Sequence, residues 1–279
     1  MMKHTLLRAA AALTITSVFT ACGDGASAPT DAGVSASVTA ATTVDVATMS
    51  GDAAKEDVET FKANRGAFGI AQLADFERFA RWEPCPYDAT AKRFVCVSRS
   101  KGPFTNTRSY AYFDATGSAQ TAYDANTTAS ANFRWSLSGD ITKEKWSGSM
   151  NRERNITITG LAGSNNTITI NGTGAAERQR TRFSKSSTTS TEVERAYDMS
   201  GSVTIKDVVT PAVRLPDSYP SSGTITRTHL VTRTDADGTK TTSRTSVVTF
   251  NGTQFVPLVV NGVEFTLDLS TGVVTKKTA

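Results

Sequence analysis

Short segments that alternate apolar and polar residues make up most of the chain, and glycine-containing turns separate them. Four turn dipeptides divide residues 223–278: Asp237-Gly238, Asn251-Gly252, Asn261-Gly262 and Thr271-Gly272. The Asn-Gly and Asp-Gly pairs favour two-residue hairpin turns, because both residues tolerate positive φ. The pattern predicts a five-stranded antiparallel meander, in which Leu258 lies opposite Phe265 and Val256 opposite Leu267.

A second hairpin is predicted in the middle of the chain. Ile156 and Ile158 would face Ile170 and Ile168, respectively, across a turn at Ala162–Asn165. Both isoleucine pairs would then lie on one face of the sheet, because side chains alternate between the two faces along a strand. The pairing therefore predicts a hairpin with one apolar face.

Three arginines share one face of the next predicted strand: Arg178, Arg180 and Arg182. They could form a patch for an anionic ligand. A turn through residues 186–188 would instead place Arg182 on Glu192 and Arg180 on Glu194. We expect these exposed cross-strand ion pairs, each contributing well under about 1 kcal/mol, rather than an anion-binding surface.

One amphipathic helix is predicted before the strands begin. Within Asp52–Asn64, the residues Ala54, Val58 and Phe61 recur at helical spacing, acids occupy the first turn, and a glycine follows the segment. The next stretch, Ile70–Trp82, fits a helix by some of its apolar residues and a strand by others. The sequence leaves that stretch open.

The fold class follows from these elements. We expect a mainly β chain with one short N-terminal amphipathic helix, in which residues 51–279 form a single antiparallel β domain. Its meander sheet would be a curved sheet, a sandwich or a partial barrel. Most aromatic residues lie between Phe61 and Trp146. We therefore expect the first half of the fold to build the core, with long strands extending into solvent.

The N-terminus has the pattern of an export signal. Lys3, His4 and Arg8 precede an apolar run from Ala9 to Thr20 of about a dozen residues, which is signal-peptide length and too short to cross a bilayer. The run ends in Phe19-Thr20-Ala21-Cys22, which resembles the lipobox of bacterial lipoproteins. The resemblance implies that residues 1–21 are removed and that Cys22 becomes the lipidated N-terminus.

A tether is predicted between the anchor and the folded domain. Residues 22–50 are mostly Ala, Ser, Thr, Gly and Asp without an aromatic residue, so we expect them to be disordered. Gly23 rather than Asp follows Cys22, which in the lipoprotein sorting rule implies the outer membrane. The expected location is the cell envelope, with the domain attached to the membrane through its lipid anchor.

The two remaining cysteines are predicted to form a disulfide. Cys85 and Cys96 enclose a short segment with turn chemistry at its centre, and an exported protein folds under oxidising conditions. A metal site would need further soft ligands, and the mature chain has one His and no other Cys. We expect neither a metal nor another cofactor.

Charge and motifs argue against several functions. The formal net charge is +4, but two of the positive charges lie in the leader, and the arginines alternate with glutamates, so we expect no nucleic-acid partner. His229 is the one histidine of the predicted mature chain. It shares a strand face with Arg227 and Val231, which does not favour catalysis. Asp235–Gly238 fits a hairpin tip better than a calcium loop.

Glycoside hydrolysis would need two carboxylates in one cleft. Four acids lie near the aromatic-rich strands, and their spacing singles out no pair: Asp114, Asp124, Asp140 and Glu144.

These observations predict a lipoprotein anchored in the envelope, without enzymatic activity, that binds an envelope protein, peptidoglycan or glycan or has a structural role. One alternative is a lipid or lipoprotein carrier, in which the sheet curls into a half-barrel around an apolar cavity. Another is a hydrolase of envelope polymers. A cavity between Trp135, Trp146 and the C-terminal meander would favour the carrier.

Lipidation at Cys22 can be tested in a Gram-negative host grown with labelled palmitate. We expect the wild-type chain to incorporate the label and Cys22→Ser to lose it, because the thiol is the acceptor of the diacylglycerol. Equal labelling of both chains, or a soluble wild-type protein, would contradict the assignment.

Overall fold

The computed structural model describes residues 36–67, 85–142, 146–185, 191–212, 217–236 and 238–278. The predicted signal peptide, Cys22 and the segment Ile70–Trp82 lie outside these ranges. Among the described residues, no helix has both the length and the apolar character that crossing a membrane requires.

A single antiparallel sheet dominates the fold. The helix α1 spans Ala36–Ala67. Fourteen strands follow it: β1 Tyr87–Asp88, β2 Arg93–Val95, β3 Arg99–Lys101, β4 Phe104–Phe113, β5 Ala119–Gln120, β6 Ser130–Thr142, β7 Trp146–Thr159, β8 Thr167–Lys185, β9 Thr191–Pro211, β10 Ser222–Asp235, β11 Gly238–Thr249, β12 Phe255–Val260, β13 Val263–Asp268 and β14 Val274–Lys276. Their order is β1-β2-β4-β6-β7-β8-β9-β10-β11-β12-β13-β14, with β3 and β5 also paired to β4. The prediction of a mainly β, antiparallel fold with an N-terminal helix is confirmed.

The predicted C-terminal meander is also confirmed. Strands β10 to β14 are the five expected strands, and Leu258 pairs with Phe265 and Val256 with Leu267. Asn261 and Gly262 join β12 to β13 with φ angles of 46° and 82°. These left-handed conformations are the ones that an Asn-Gly hairpin turn requires.

The central hairpin exists, but its predicted register is shifted by two residues. Ile158 pairs with Ile170, and Ile156 pairs with Gly172 rather than with Ile170. A two-residue shift keeps all the isoleucines on the same face, so the apolar pattern alone does not distinguish the two registers. The loop of residues 160–166 decides between them.

The predicted ion pairs of the next hairpin are wrong. Arg180 pairs with Tyr197, and Arg182 lies opposite Arg195, while Glu192 lies opposite Ser184. The register also shifts between Arg182 and Phe183. Exposed charge pairs contribute too little free energy to set the register of a hairpin. The register is set where β8 and β9 are buried, and the hydrogen bonds between the two strands carry it along their length.

The helix is longer than the predicted one. It begins at Ala36 instead of Asp52, so residues 36–50, which we expected to belong to a disordered tether, are helical. Val46, Ala47 and Met49 in this segment are buried in the core. Burial against the sheet therefore outweighs the weak helix propensity of the segment.

The sheet curves around α1. Ser50 forms a side-chain hydrogen bond with Ser246 on β11, Gly51 packs against Val274 on β14, and Asp57 binds Arg152 on β7. Seven residues of helix advance only about 10 Å. In a flat sheet β7 and β14 would lie roughly 34 Å apart. A helix can contact both strands because the sheet bends into an open trough with α1 inside it.

The apolar core fills the space between α1 and the concave face of this trough. The C-terminal meander contributes five fully buried residues: Val256, Leu258, Val260, Phe265 and Leu267. The expectation that the first half of the fold builds the core is therefore wrong. The alternating strands of the meander provide the apolar face against which the N-terminal helix can bury its own apolar side.

The aromatic residues form a ladder at the other end of the sheet. The ring of Phe94 stacks on Tyr110 with centroids 4.8 Å apart, and Tyr112 contacts Tyr123 at 5.6 Å. Burial raises the pKa of the Tyr110 and Tyr112 hydroxyls. The ladder joins the small N-terminal strands to the main core.

A disulfide links Cys85 and Cys96, as predicted. Cys85 lies two residues before β1 and Cys96 directly follows β2, and Tyr87 pairs with Phe94 between them. The bond therefore closes the short hairpin at the edge of the sheet.

Replacing both cysteines by serine is expected to lower the free energy of unfolding by about 2 to 3 kcal/mol, because the open chain gains entropy in the unfolded state. Urea denaturation with and without dithiothreitol measures this. Reductant should shift the wild-type midpoint and leave that of the variant unchanged. Two free thiols in the unreduced wild-type protein would contradict the bond.

Candidate functional site

The concave face of the trough carries an unusual number of buried cations. Five arginines are less than a tenth exposed: Arg152, Arg154, Arg227, Arg233 and Arg244. Helix α1 brings acidic residues to the same face, among them Asp45, Glu56 and Asp57. The helix and the sheet are therefore complementary in charge as well as in apolar shape.

Asp57 lies at the centre of this interface. It is 1% exposed, and guanidinium groups from two different parts of the sheet bind its carboxylate. Arg152 Nη2 and Arg154 Nε each lie 3.2 Å from Oδ1, Arg154 Nη2 lies 3.4 Å from Oδ2, and Arg227 Nη2 also donates to Oδ2. Both carboxylate oxygens thus accept hydrogen bonds from charged donors. Such charge-assisted hydrogen bonds are the strongest in proteins.

The neighbouring strands orient the arginines of this cluster. Trp135 on β6 lies beneath Arg152 and Arg154, with guanidinium-to-ring distances of 5.6 and 5.8 Å that favour cation–π attraction. Gly174 on β8 lies opposite Arg154, where a Cβ atom would come within 3.0 Å of the Arg154 Cδ. The Arg154 side chain therefore occupies space that a glycine leaves open.

Polar contacts hold the rest of α1 in the trough. Arg233 Nη1 donates to the Val38 carbonyl at 3.0 Å and to Thr42 Oγ1 at 3.2 Å. The hydroxyl of Tyr197 donates to Asp45. These contacts lie N-terminal to Asp57 on the helix, so the trough binds α1 along most of its length.

A small cavity of about 40 Å³ remains beside the cluster. Its lining includes Met49, Met199, Arg227 and His229. The cavity is much smaller than an acyl chain. Among the residues that the structure describes, no group of three His, Cys, Asp or Glu side chains suits a metal ion.

The opposite face of the sheet forms an open polar groove of about 700 Å³. Two rows of side chains cross strands β6 to β10 in register. The first row is Ser138, Asn151, Glu177, Ser200 and Leu230, and the second is Asp140, Ser149, Gln179, Asp198 and Thr232. We call these two rows the outer groove. Hydroxyl, amide and carboxylate groups dominate its lining.

Of the three described acids that we considered for hydrolysis, two are engaged in turns. The side chain of Asp114 accepts hydrogen bonds from Thr116 and Ser118, which lowers its pKa, and Asp124 binds the backbone of its own turn. Asp140 lies in the outer groove, and Glu144 lies outside the described residues. Asp114 and Asp124 are turn-forming residues here.

Sequence reasoning missed Asp57 and its arginines. The signal was present, because Arg152 and Arg154 have the same parity on β7 as the buried Ile156 and Ile158. Charged side chains on the buried, apolar face of a strand need a buried partner. The partner here is Asp57, which directly precedes Val58 of the apolar stripe of the helix.

The chain has no match among protein-family models, curated proteins or solved structures.

Replacing Asp57 by asparagine is expected to lower the free energy of unfolding by about 3 to 5 kcal/mol, because it removes the carboxylate from three buried guanidinium groups. Glu59→Gln is the matched control, since Glu59 is exposed on the same helix. Chemical denaturation of both variants measures the difference. Equal stability of the two variants would contradict a central role for Asp57.

Proposed function

We propose that this protein is a lipid-anchored envelope protein that binds a polyhydroxylated envelope polymer, such as a glycan or the glycan strands of peptidoglycan, without enzymatic activity. The observation that carries the proposal is the outer groove. Its binding surface is built on five adjacent hydrogen-bonded strands, which form a rigid scaffold.

The chemistry of the outer groove suits a sugar polymer. Ser, Thr, Asn and Gln side chains can both donate and accept hydrogen bonds, and Asp140, Glu177 and Asp198 accept them from sugar hydroxyls. Each row spans roughly 19 Å across the five strands, a length that a short oligosaccharide can cover. Leu230, which is 43% exposed, offers an apolar surface for the face of a sugar ring.

The position of α1 is compatible with the predicted anchor. Ala36, the first residue of the helix, lies fourteen positions after Cys22. A fully extended segment of that length reaches at most about 50 Å. A lipid at Cys22 would therefore keep the domain close to the membrane surface, where envelope polymers are accessible.

A carrier of lipids or lipoproteins is the second candidate, because the sheet curls around an occupant as a half-barrel would. In this structure the occupant is α1, and the remaining cavity of about 40 Å³ holds no acyl chain. A carrier function would require α1 to leave the trough.

The proposal predicts that the double variant Asn151→Ala/Gln179→Ala, with one change in each row, binds purified peptidoglycan at least tenfold more weakly than the wild type. Each lost hydrogen bond contributes about 0.5 to 1.5 kcal/mol. Sedimentation of the mature domain with purified sacculi measures the binding. Thr249→Ala, an exposed change near the C-terminal end of β11, is the control. Unchanged binding by the double variant, or no binding by the wild type to sacculi or soluble glycans, would overturn the proposal.

A further inference from the structure

We propose that the concave trough is a receptor for an acidic helical segment of a partner protein, and that α1 is its built-in, exchangeable occupant. This site lies on the opposite face of the sheet from the outer groove and does not depend on the function proposed there. Two observations support it: the arginine cluster and the low helix propensity of residues 36–50. The occupant must also bury an apolar stripe, because Val46, Val58 and Phe61 of α1 lie in the core.

The arginines form a ready-made acceptor for a carboxylate. Arg152, Arg154 and Arg227 come from β7 and β10 and converge on one point, where they hold both oxygens of Asp57. Planar guanidinium groups in this arrangement are typical of sites that recognise carboxylates. Trp135 and Gly174 orient two of these arginines from the sheet side, so the geometry of the acceptor is built into the sheet.

The N-terminal half of α1 is a poor helix without the trough. Seven of the fifteen residues in 36–50 are valine or threonine, which have low helix propensity, and its first turn contains no acid. Several threonine hydroxyls donate to the carbonyl four residues earlier, as Thr42 and Thr43 do, which slightly weakens a helix. The segment is therefore helical because the trough holds it.

The ion pairs between α1 and the sheet favour specificity, while the buried apolar residues of α1 supply strength. Buried ion pairs recover little more than the cost of removing their charges from water, so they contribute recognition more than net stability. The cavity beside Met49 and Met199 shows that the packing at the cluster is incomplete, and methionine side chains adapt readily to a different surface. A competing helix would need both the same acids and an apolar stripe that matches Val46, Val58 and Phe61.

The trough also specifies the kind of helix that it accepts. A carboxylate must lie at the position of Asp57, and a second acid twelve residues earlier must reach the Tyr197 hydroxyl, as Asp45 does. The position six residues before the carboxylate must be small. A Cβ at Gly51 would lie 2.6 Å from Val274 Cγ2 and 2.8 Å from the Gly272 carbonyl oxygen.

The test uses a fluorescent synthetic peptide with the sequence of residues 36–61 and the full mature chain. Gly51→Leu should loosen α1 by steric conflict while it leaves the arginines intact. We expect this variant to bind the peptide at least tenfold more tightly than the wild type in fluorescence anisotropy. The peptide that carries Asp57→Asn should bind the same variant at least tenfold more weakly.

Hydrogen exchange of the wild-type protein tests the proposal if Gly51→Leu does not fold. In the wild type, the amides of α1 should exchange at least tenfold faster than those of β10 and β11, because α1 leaves the trough while the sheet stays folded. Exchange of α1 only together with these strands would overturn the proposal. A folded Gly51→Leu chain that does not bind the peptide would also overturn the proposal. Displacement of the peptide by phosphatidylglycerol vesicles would overturn it too, because it would identify the occupant as a lipid.

Discussion

The binding of Asp57 by three buried arginines determines how α1 lies against the sheet. Arg152 and Arg154 belong to β7 and Arg227 to β10, so one carboxylate on the helix joins separate parts of a long sheet. The sheet must curve for these groups to meet. Because a buried guanidinium group without a carboxylate is costly, the arginine cluster requires an acid in the trough, and α1 supplies it.

The same strands build two surfaces of opposite character. On β7 the side chain of Arg152 enters the concave trough, while the neighbouring Asn151 lies in the outer groove. The concave face carries the arginines and the apolar core, and the outer groove carries hydroxyl, amide and acidic groups. Two surfaces of different chemistry on one sheet follow from the alternation of side chains along each strand. The proposed polymer site and the proposed helix receptor can therefore operate independently.

Predictions that depended on local turn chemistry agree with the structure, and those that depended on distant pairing do not. The pairing of Leu258 with Phe265 follows from Asn261-Gly262, because a two-residue turn leaves a single register. The seven residues between β7 and β8 leave several registers open, and the isoleucines there are displaced by two positions. The register shift beside Arg182 had no signal in the sequence. Arg182 is therefore paired in register with Arg195 and not with Glu192.

The sequence by itself determined the strand-rich architecture, the five-stranded C-terminal meander and the pairing of Cys85 with Cys96, since these follow from turns, alternation and short loops. Only the tertiary structure decided that the helix starts at Ala36 and that Asp57 is buried. Asp57 lies 95 residues from Arg152 and 170 from Arg227 along the chain. Contacts at such separations arise from the curvature of the whole sheet, which no local pattern of residues encodes.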